Sequence, residues 1–161
     1  MKKLALLVMC MFLFVGCTST TSKLEENQDS KIEIKEGEGT FEVILLDDMI
    51  KKMDNKESFV MIVTQTYCNS CKSFFNESDA FLKESGVPLF ELNLDNEKKK
   101  PDDVITVLNE KLQEFVMTPS IYYVRDGEVK DALLSSNERI QLSNYKQFLI
   151  KNNIIKKDKL K

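Results

Sequence analysis

The sequence predicts an α/β fold, one mixed central sheet with helices on both faces. Three observations predict it. Strand-like and helix-like stretches alternate in the order βαβαβαββα, and such alternation gives parallel strands joined by right-handed crossovers. Phe59-Val60-Met61-Ile62-Val63 is a continuous apolar run rich in β-branched residues, as expected of a strand buried on both faces. Asp126-Gly127, near the C-terminus, is a hairpin signal that adds antiparallel strands. With 161 residues, 42% hydrophobic and 30% charged, the chain suits one domain with a proper core and is short for two.

The elements follow in order. Phe41 to Leu45 reads as a strand. Asp47 is placed to cap a short helix with Met49, Ile50 and Met53 on its apolar face. After the strand at 59–63, a helix is expected through Phe74, Phe75, Phe81 and Leu82, stopping near Gly86-Val87-Pro88. Leu89 to Leu94 is the next strand. Pro101 suits a helix start, and Asp102 and Asp103 suit the positive end of its dipole. That helix carries the stripe Val104, Ile105, Leu108, Leu112 and Phe115. Met117-Thr118-Pro119-Ser120 is a break. Ile121 to Val124 and Val129 to Leu134 form the hairpin. Ser143 is expected to cap a last helix with Tyr145, Phe148 and Leu149 inward.

The N-terminus reads as an address. Lys2 and Lys3 precede an apolar run from Leu4 to Gly16, shorter than the roughly 20 residues that span a bilayer. Its end, Val15-Gly16-Cys17, resembles a bacterial lipoprotein cleavage site, which implies lipid on Cys17; Phe14 departs from the usual aliphatic residue. Residues 1–16 are then a signal peptide, and Cys10 leaves with it. Residues 17–39 read as a lipidated cysteine and a polar tether, in which Lys31 to Lys35 alternates like a short edge strand. The domain proper is assigned to 40–155 and a solvated basic tail to 156–161. Lipid chains would hold the domain at the outer face of the cell membrane, in the manner of a Gram-positive lipoprotein.

Composition narrows the chemistry. The chain has no histidine and a net charge of −3. Loss of Lys2 and Lys3 from 23 basic residues leaves 21 against 26 acidic ones, a net of −5. A chain of that balance is not a nucleic-acid binder. Without histidine there is no Cys-His or Ser-His pair and no imidazole metal ligand. Chemistry must run on carboxylates, lysines, hydroxyls or the four cysteines. With Cys10 and Cys17 set aside, Cys68 and Cys71 remain as thiols.

Cys68-Asn69-Ser70-Cys71 falls where the buried strand becomes a helix. A helix N-terminus offers free N–H groups and about half a positive charge, which stabilise a thiolate. Cys68, at the helix start, is the expected nucleophile, and Cys71, one turn in, the resolving thiol. The spacing also admits a structural bridge or half of a metal site. A bridge over so short a loop stabilises little by loop entropy, and a zinc site needs four ligands where two thiols stand. No metal is expected, and no cofactor beyond the Cys68–Cys71 disulfide.

The order of elements, CxxC after the second strand and Thr118-Pro119 before the hairpin together resemble the thioredoxin-like superfamily, over roughly residues 40–155. Leu92-Asn93-Leu94-Asp95 and Val124 to Val129 add to the likeness. The resemblance implies a cis bond at Pro119 beside the disulfide, with substrate chains bound along the neighbouring backbone. Its expected substrate-contacting set is Tyr67, Asn69, Ser70, Thr118 and Pro119. An apolar strand, a Thr, CxxC and a later Thr-Pro are also similar to small Gram-positive bacteriocin transport accessory proteins.

Three departures stand out. Tyr67 replaces a tryptophan, Asn69-Ser70 replaces Gly-Pro, and Ile62 stands six places before Cys68, where thioredoxin keeps a buried acid. Proton transfer at Cys71 then falls to water, or to Glu91 if that side chain points inward; as a strand residue Glu91 is expected to be exposed. Asn69 and Ser70 can both donate hydrogen bonds to the Cys68 thiolate. The reading is a membrane-tethered, monomeric thiol–disulfide oxidoreductase acting on cysteine-containing protein substrates, with a membrane redox partner. Its alternatives are a thioredoxin-fold accessory module for peptide export whose thiols are idle, and a copper carrier, against which Tyr67 stands where such carriers have Met.

Overall fold

The computed structural model describes residues 24–26, 32–35, 37–112, 114–135 and 139–159. The signal sequence, Phe14, Cys10 and the lipidation site Cys17 lie outside them.

The central sheet has five strands: β3 (Phe41–Ile44), β4 (Phe59–Thr64), β5 (Leu89–Asn93), β6 (Ser120–Arg125) and β7 (Glu128–Leu134). Their order is β3-β5-β4-β6-β7. β5 pairs parallel with β3 and β4, while β6 runs antiparallel to both β4 and β7. Every residue of β4 is buried, as its unbroken apolar run requires. The hairpin turns at Asp126 (φ 56°) and Gly127 (φ 79°), two left-handed residues whose twist matches the strands they join.

Helices cover both faces. α1 (Leu46–Asp54) and α3 (Pro101–Leu112) enclose Ile44, Met61, Val63 and Leu92 on one side. α2 (Asn69–Ser85) and α4 (Leu142–Lys151) enclose Val60, Ile62, Leu89 and Ile121 on the other. Tyr145 of α4 stacks edge-on against Phe74 and Phe81 of α2. Burial holds its hydroxyl pKa above the ordinary tyrosine value.

Four expectations are corrected. The helix cap is not Asp47: α1 starts at Leu46 behind Leu45, whose N–H donates to Asp48 Oδ2 at 3.3 Å. Nor does Ser143 cap α4, which starts behind Gln141; the Gln141 N–H donates to Asn144 Oδ1 at 2.9 Å. In both, a carboxylate or amide at the third helical position reaches back to the N-cap's own N–H, which is the half of a capping box that this position supplies. α3 ends at Leu112, and Phe115 is buried beyond it after Glu114 turns left-handed at φ 63°. Finally, part of the expected tether is packed. β1 (Leu24–Glu26) and β2 (Glu33–Lys35) pair antiparallel as a separate ribbon. Ile32 and Ile34 are 2% and 7% exposed, in the core under α2 and α4. The alternation within Lys31 to Lys35, read as a short edge strand, is β2; the polar composition around it gave no sign that its isoleucines dock in the core.

Candidate functional site

β4 ends at Thr64, and a short turn leads into α2. The Cys68 N–H donates to the Gln65 carbonyl at 3.1 Å, which closes the turn. Cys68 is the N-cap of α2, in extended conformation at φ −77°, ψ 104°. Its Sγ accepts the Cys71 N–H at 3.1 Å, so a sulfur does the work of a capping oxygen. The two cysteines form a disulfide with Cα atoms 5.3 Å apart.

The two sulfurs are not equivalent. Cys68 is half-buried, whereas Cys71 is 2% exposed and lies on the inward face of α2 with Phe74 and Ser78. Charge placement sharpens the asymmetry. α1 carries Asp47 and Asp48 in its first turn, and α3 carries Asp102 and Asp103; α2 has no acidic residue there. Its N-terminal N–H groups and dipole therefore act on the sulfur with no first-turn carboxylate to offset them.

Cys68 opens into a surface groove of about 370 Å³, lined by Gln65, Tyr67, Cys68, Asn69, Ser70, Asp95 and Thr118. The Thr118–Pro119 peptide bond is cis. Thr118 faces the groove and donates from Oγ1 to Gln65 Oε1 at 3.2 Å, while Pro119 is buried behind it. Tyr67 is 88% exposed beside the disulfide, with Lys72 Nζ 5.9 Å from its ring centre. The structure thus brings Tyr67, Cys68, Asn69, Ser70 and Thr118 onto one surface and sets Cys71 and Pro119 beneath it. In the disulfide form Cys68 Sγ accepts from the Cys71 backbone. Among the described residues no cluster of three or more His, Cys, Asp or Glu side chains is placed to hold a metal ion.

Sequence reasoning missed Gln65, Asp95 and the apolar pair before Thr118. Asp95 Oδ2 accepts the Thr66 N–H at 2.7 Å and so ties the end of β5 to the turn before Cys68. The Asn93-x-Asp95 spacing was its signal, since Asn93 Oδ1 caps the Asp95 N–H at 3.0 Å. Val116 and Met117, just before Thr118 in the chain, are 69% and 42% exposed. Glu91 was expected to be exposed; it is half-buried and accepts a hydrogen bond from the buried Thr64 hydroxyl.

Solved structures share this architecture. A thioredoxin from Malassezia sympodialis superposes with a TM-score of 0.53 at 12% identity, over 71% of this chain and 92% of that one. An oxidoreductase-type protein with a thioredoxin fold superposes with a TM-score of 0.51 at 16% identity, over 65% and 91%. The fold is thioredoxin-like. No protein-family model and no curated protein matches the chain.

Proposed function

We propose that this thioredoxin-like chain is a thiol–disulfide oxidoreductase that acts on cysteine-containing protein substrates. The asymmetry of its sulfurs carries the reading: one lies in an open groove at a helix N-terminus whose first turn holds no acidic residue, and its partner is buried. In the reduced form, the Cys68 thiolate attacks a substrate disulfide and expels one substrate thiolate. Cys71 then attacks Cys68 Sγ, re-forms the internal disulfide and releases the second substrate thiol. The reverse sequence oxidises a substrate dithiol. Tyr67, Asn69, Ser70 and Thr118 line the groove with Cys68 and form the substrate-contacting surface, with the cis Pro119 buried behind Thr118; Val116 and Met117, just before Thr118 in the chain, add exposed apolar area.

The sequence address supports a lipid anchor on Cys17 and a place at the outer face of the cell membrane, where disulfide chemistry is at home. A membrane redox partner would return the pair to its working state, with no cofactor beyond the disulfide itself. The likeness to bacteriocin transport accessory proteins suggests a peptide-export setting.

Equilibration with glutathione followed by thiol trapping tests the reading. The Cys68–Cys71 pair is expected to reach a defined equilibrium. A potential above about −200 mV marks an oxidant or isomerase, and one below about −250 mV a reductase fed by a membrane donor. A pair that neither equilibrates with glutathione nor exchanges with a protein disulfide overturns it.

A further inference from the structure

The two edges of the sheet are built differently. β7 carries Glu128, Lys130 and Asp131, with Lys130 paired to Glu128 and Asp131 held by Lys151 of α4. Charges on an edge discourage another strand from pairing there. β3, at the other edge, has no lysine or proline, and Glu42 is its one charged residue.

The register says which groups of β3 face outward. The Leu89 N–H donates to the Thr40 carbonyl at 2.9 Å, and in the parallel ladder Phe41 pairs with Leu89 and Val43 with Glu91. Alternate residues of such a strand turn their N–H and C=O to the same neighbour. Glu42 and Ile44 turn theirs to β5, so Phe41 and Val43 turn theirs to the open edge. Among the described residues no further strand pairs there.

The same strand exposes apolar side chains. Phe41, Val43 and Leu45 are 46%, 50% and 41% exposed. They share the face that α2 flanks, where Phe75 stacks edge-on against Phe41 with ring centres 4.9 Å apart. This shelf runs up to the groove. One step beyond the pair of Ile44 with Leu92, Leu45 stands beside Asn93, whose Oδ1 holds the Asp95 N–H; Asp95 lines the groove. β3 and β6 lie on opposite sides of β4, so the shelf approaches Cys68 from the side away from Thr118.

A second copy does not fit this edge. In an antiparallel two-fold pairing that uses both outward residues, Phe41 of each copy faces Val43 of the other. The two Glu42 side chains then meet at the axis, and like charges directly opposite destabilise a strand pair. A strand with a lysine at that place meets Glu42 favourably instead.

We propose that the open edge of β3 takes an extended segment of the substrate as a sixth strand, with apolar residues against Phe41, Val43, Leu45 and Phe75 and a basic residue opposite Glu42. The proposal rests on the oxidoreductase reading above and adds a substrate class to it. Main-chain pairing supplies affinity, and alternate side chains supply selectivity. The sixth strand lies three strand spacings from β4, about 14 Å, which an extended chain crosses in about four residues. The favoured substrates are therefore proteins still unfolded around the reacting cysteine, with a short apolar stretch holding a lysine or arginine about four residues from it.

Peptides with one cysteine test this. The full chain, with Cys10→Ser, Cys17→Ser and Cys71→Ser, is loaded as the mixed disulfide of Cys68 with glutathione. A peptide thiolate attacks Cys68 Sγ, the bond to the glutathione sulfur breaks, and glutathione leaves as thiolate. Mass spectrometry of the equilibrium mixture gives each peptide's preference over glutathione. One peptide carries Val-Lys-Val about four residues from its cysteine, made in both chain directions, and its twin carries Ser-Lys-Ser. The better apolar peptide is expected to be favoured about tenfold over its twin, as a small set of net hydrogen bonds and apolar contacts allows. N-methylation of its two valine amides should erase most of that preference. So should Val43→Pro, which removes an outward N–H but no bond to β5. Equal binding of apolar and polar peptides overturns the proposal, whether the edge stays bare or the chain's own Leu4 to Gly16 run covers it. A preference that survives N-methylation also overturns it, because no strand is then added. If Val43→Pro lowers the binding of both peptides alike, the variant has lost its fold, and the N-methylated peptide on the parent chain decides. A concentration-dependent dimer that Val43→Pro dissolves gives the edge to a second copy and overturns the proposal as well. A parent chain that exchanges with neither glutathione nor peptide removes the oxidoreductase reading, and this site with it.

Discussion

The two ends of α2 both leave backbone groups without helical partners and are treated in opposite ways. At the C-terminal end Gly86 turns left-handed at φ 70°, and the segment after β2 comes in to bond the last turn. The N–H groups of Lys35, Gly37 and Gly39 donate to the carbonyls of Gly86, Glu84 and Lys83 at 3.3, 3.4 and 3.1 Å. At the N-terminal end a sulfur caps the helix and a groove lies open. A helix leaves unpaired backbone groups at both ends. Here one set is satisfied by the chain and anchors structure, while the other acts on a cysteine. The difference teaches where substitutions should harm stability and where they should harm chemistry.

The largest effect expected is chemical. Cys68→Ser removes the reachable sulfur, so thiol–disulfide exchange with a protein disulfide should fall to background. The same change opens a loop of sequence separation 3, whose closure is worth about 2 kcal/mol in the chain-entropy account. Exchange assays and thermal unfolding on one variant therefore separate the two roles. Exchange that persists in Cys68→Ser would remove the open end of α2 from the chemistry.

Next comes the closed end. A Cβ on Gly39 would lie 1.6 Å from the Leu82 carbonyl oxygen, a clash with backbone that no rotamer relieves. Gly39→Ala should lift the segment off α2 and expose Ile32 and Ile34. Full burial of such a side chain is worth about 1.5–3 kcal/mol, so a loss of about 2–4 kcal/mol is expected by denaturant titration. The rate of exchange at Cys68, at the far end of the helix, should stay within twofold. A large change in that rate would show that the two ends are coupled.

The open end was legible in the sequence; at the closed end the stop at Gly86 and the short strand within Lys31 to Lys35 were legible, but the docking of that segment on α2 was not. CxxC after a buried strand is a local pattern, and helix polarity alone says which cysteine is exposed to the dipole. Thr118-Pro119 and Asp126-Gly127 are equally local, and both were placed correctly. The docked segment depends on contacts across about fifty residues, such as Gly39 with Lys83, and on two isoleucines in a polar stretch. Their alternation gave the strand but not the surface on which it docks. Glu91 failed for a related reason. Strand alternation gives a residue's face, but whether that face is covered depends on the helix laid over it. The caps placed at Asp47 and Ser143 erred by two residues: the N-caps are Leu45 and Gln141, and a side chain at the third helical position, Asp48 or Asn144, reaches back to the N-cap N–H instead.

The smallest effect sharpens the contrast by asking what holds the closed end. Lys83, in the last turn of α2, pairs with Asp79 at 2.8 Å, four residues earlier. Its charge also suits the negative end of the helix dipole. Both side chains are 68% exposed, so water and salt screen each contribution. Lys83→Met should cost about 0.3–0.5 kcal/mol, about 1–2 °C in melting temperature for a domain of this size, and the difference should vanish in 1 M salt. The Lys83 carbonyl, which accepts from Gly39, is untouched by that change. If Lys83→Met instead destabilised the domain as much as Gly39→Ala, charge would be holding the segment on the helix. A small, salt-erased effect beside a large, salt-insensitive one in Gly39→Ala places the anchor in backbone fit and buried isoleucine, and leaves electrostatics to the end of α2 that carries the sulfurs.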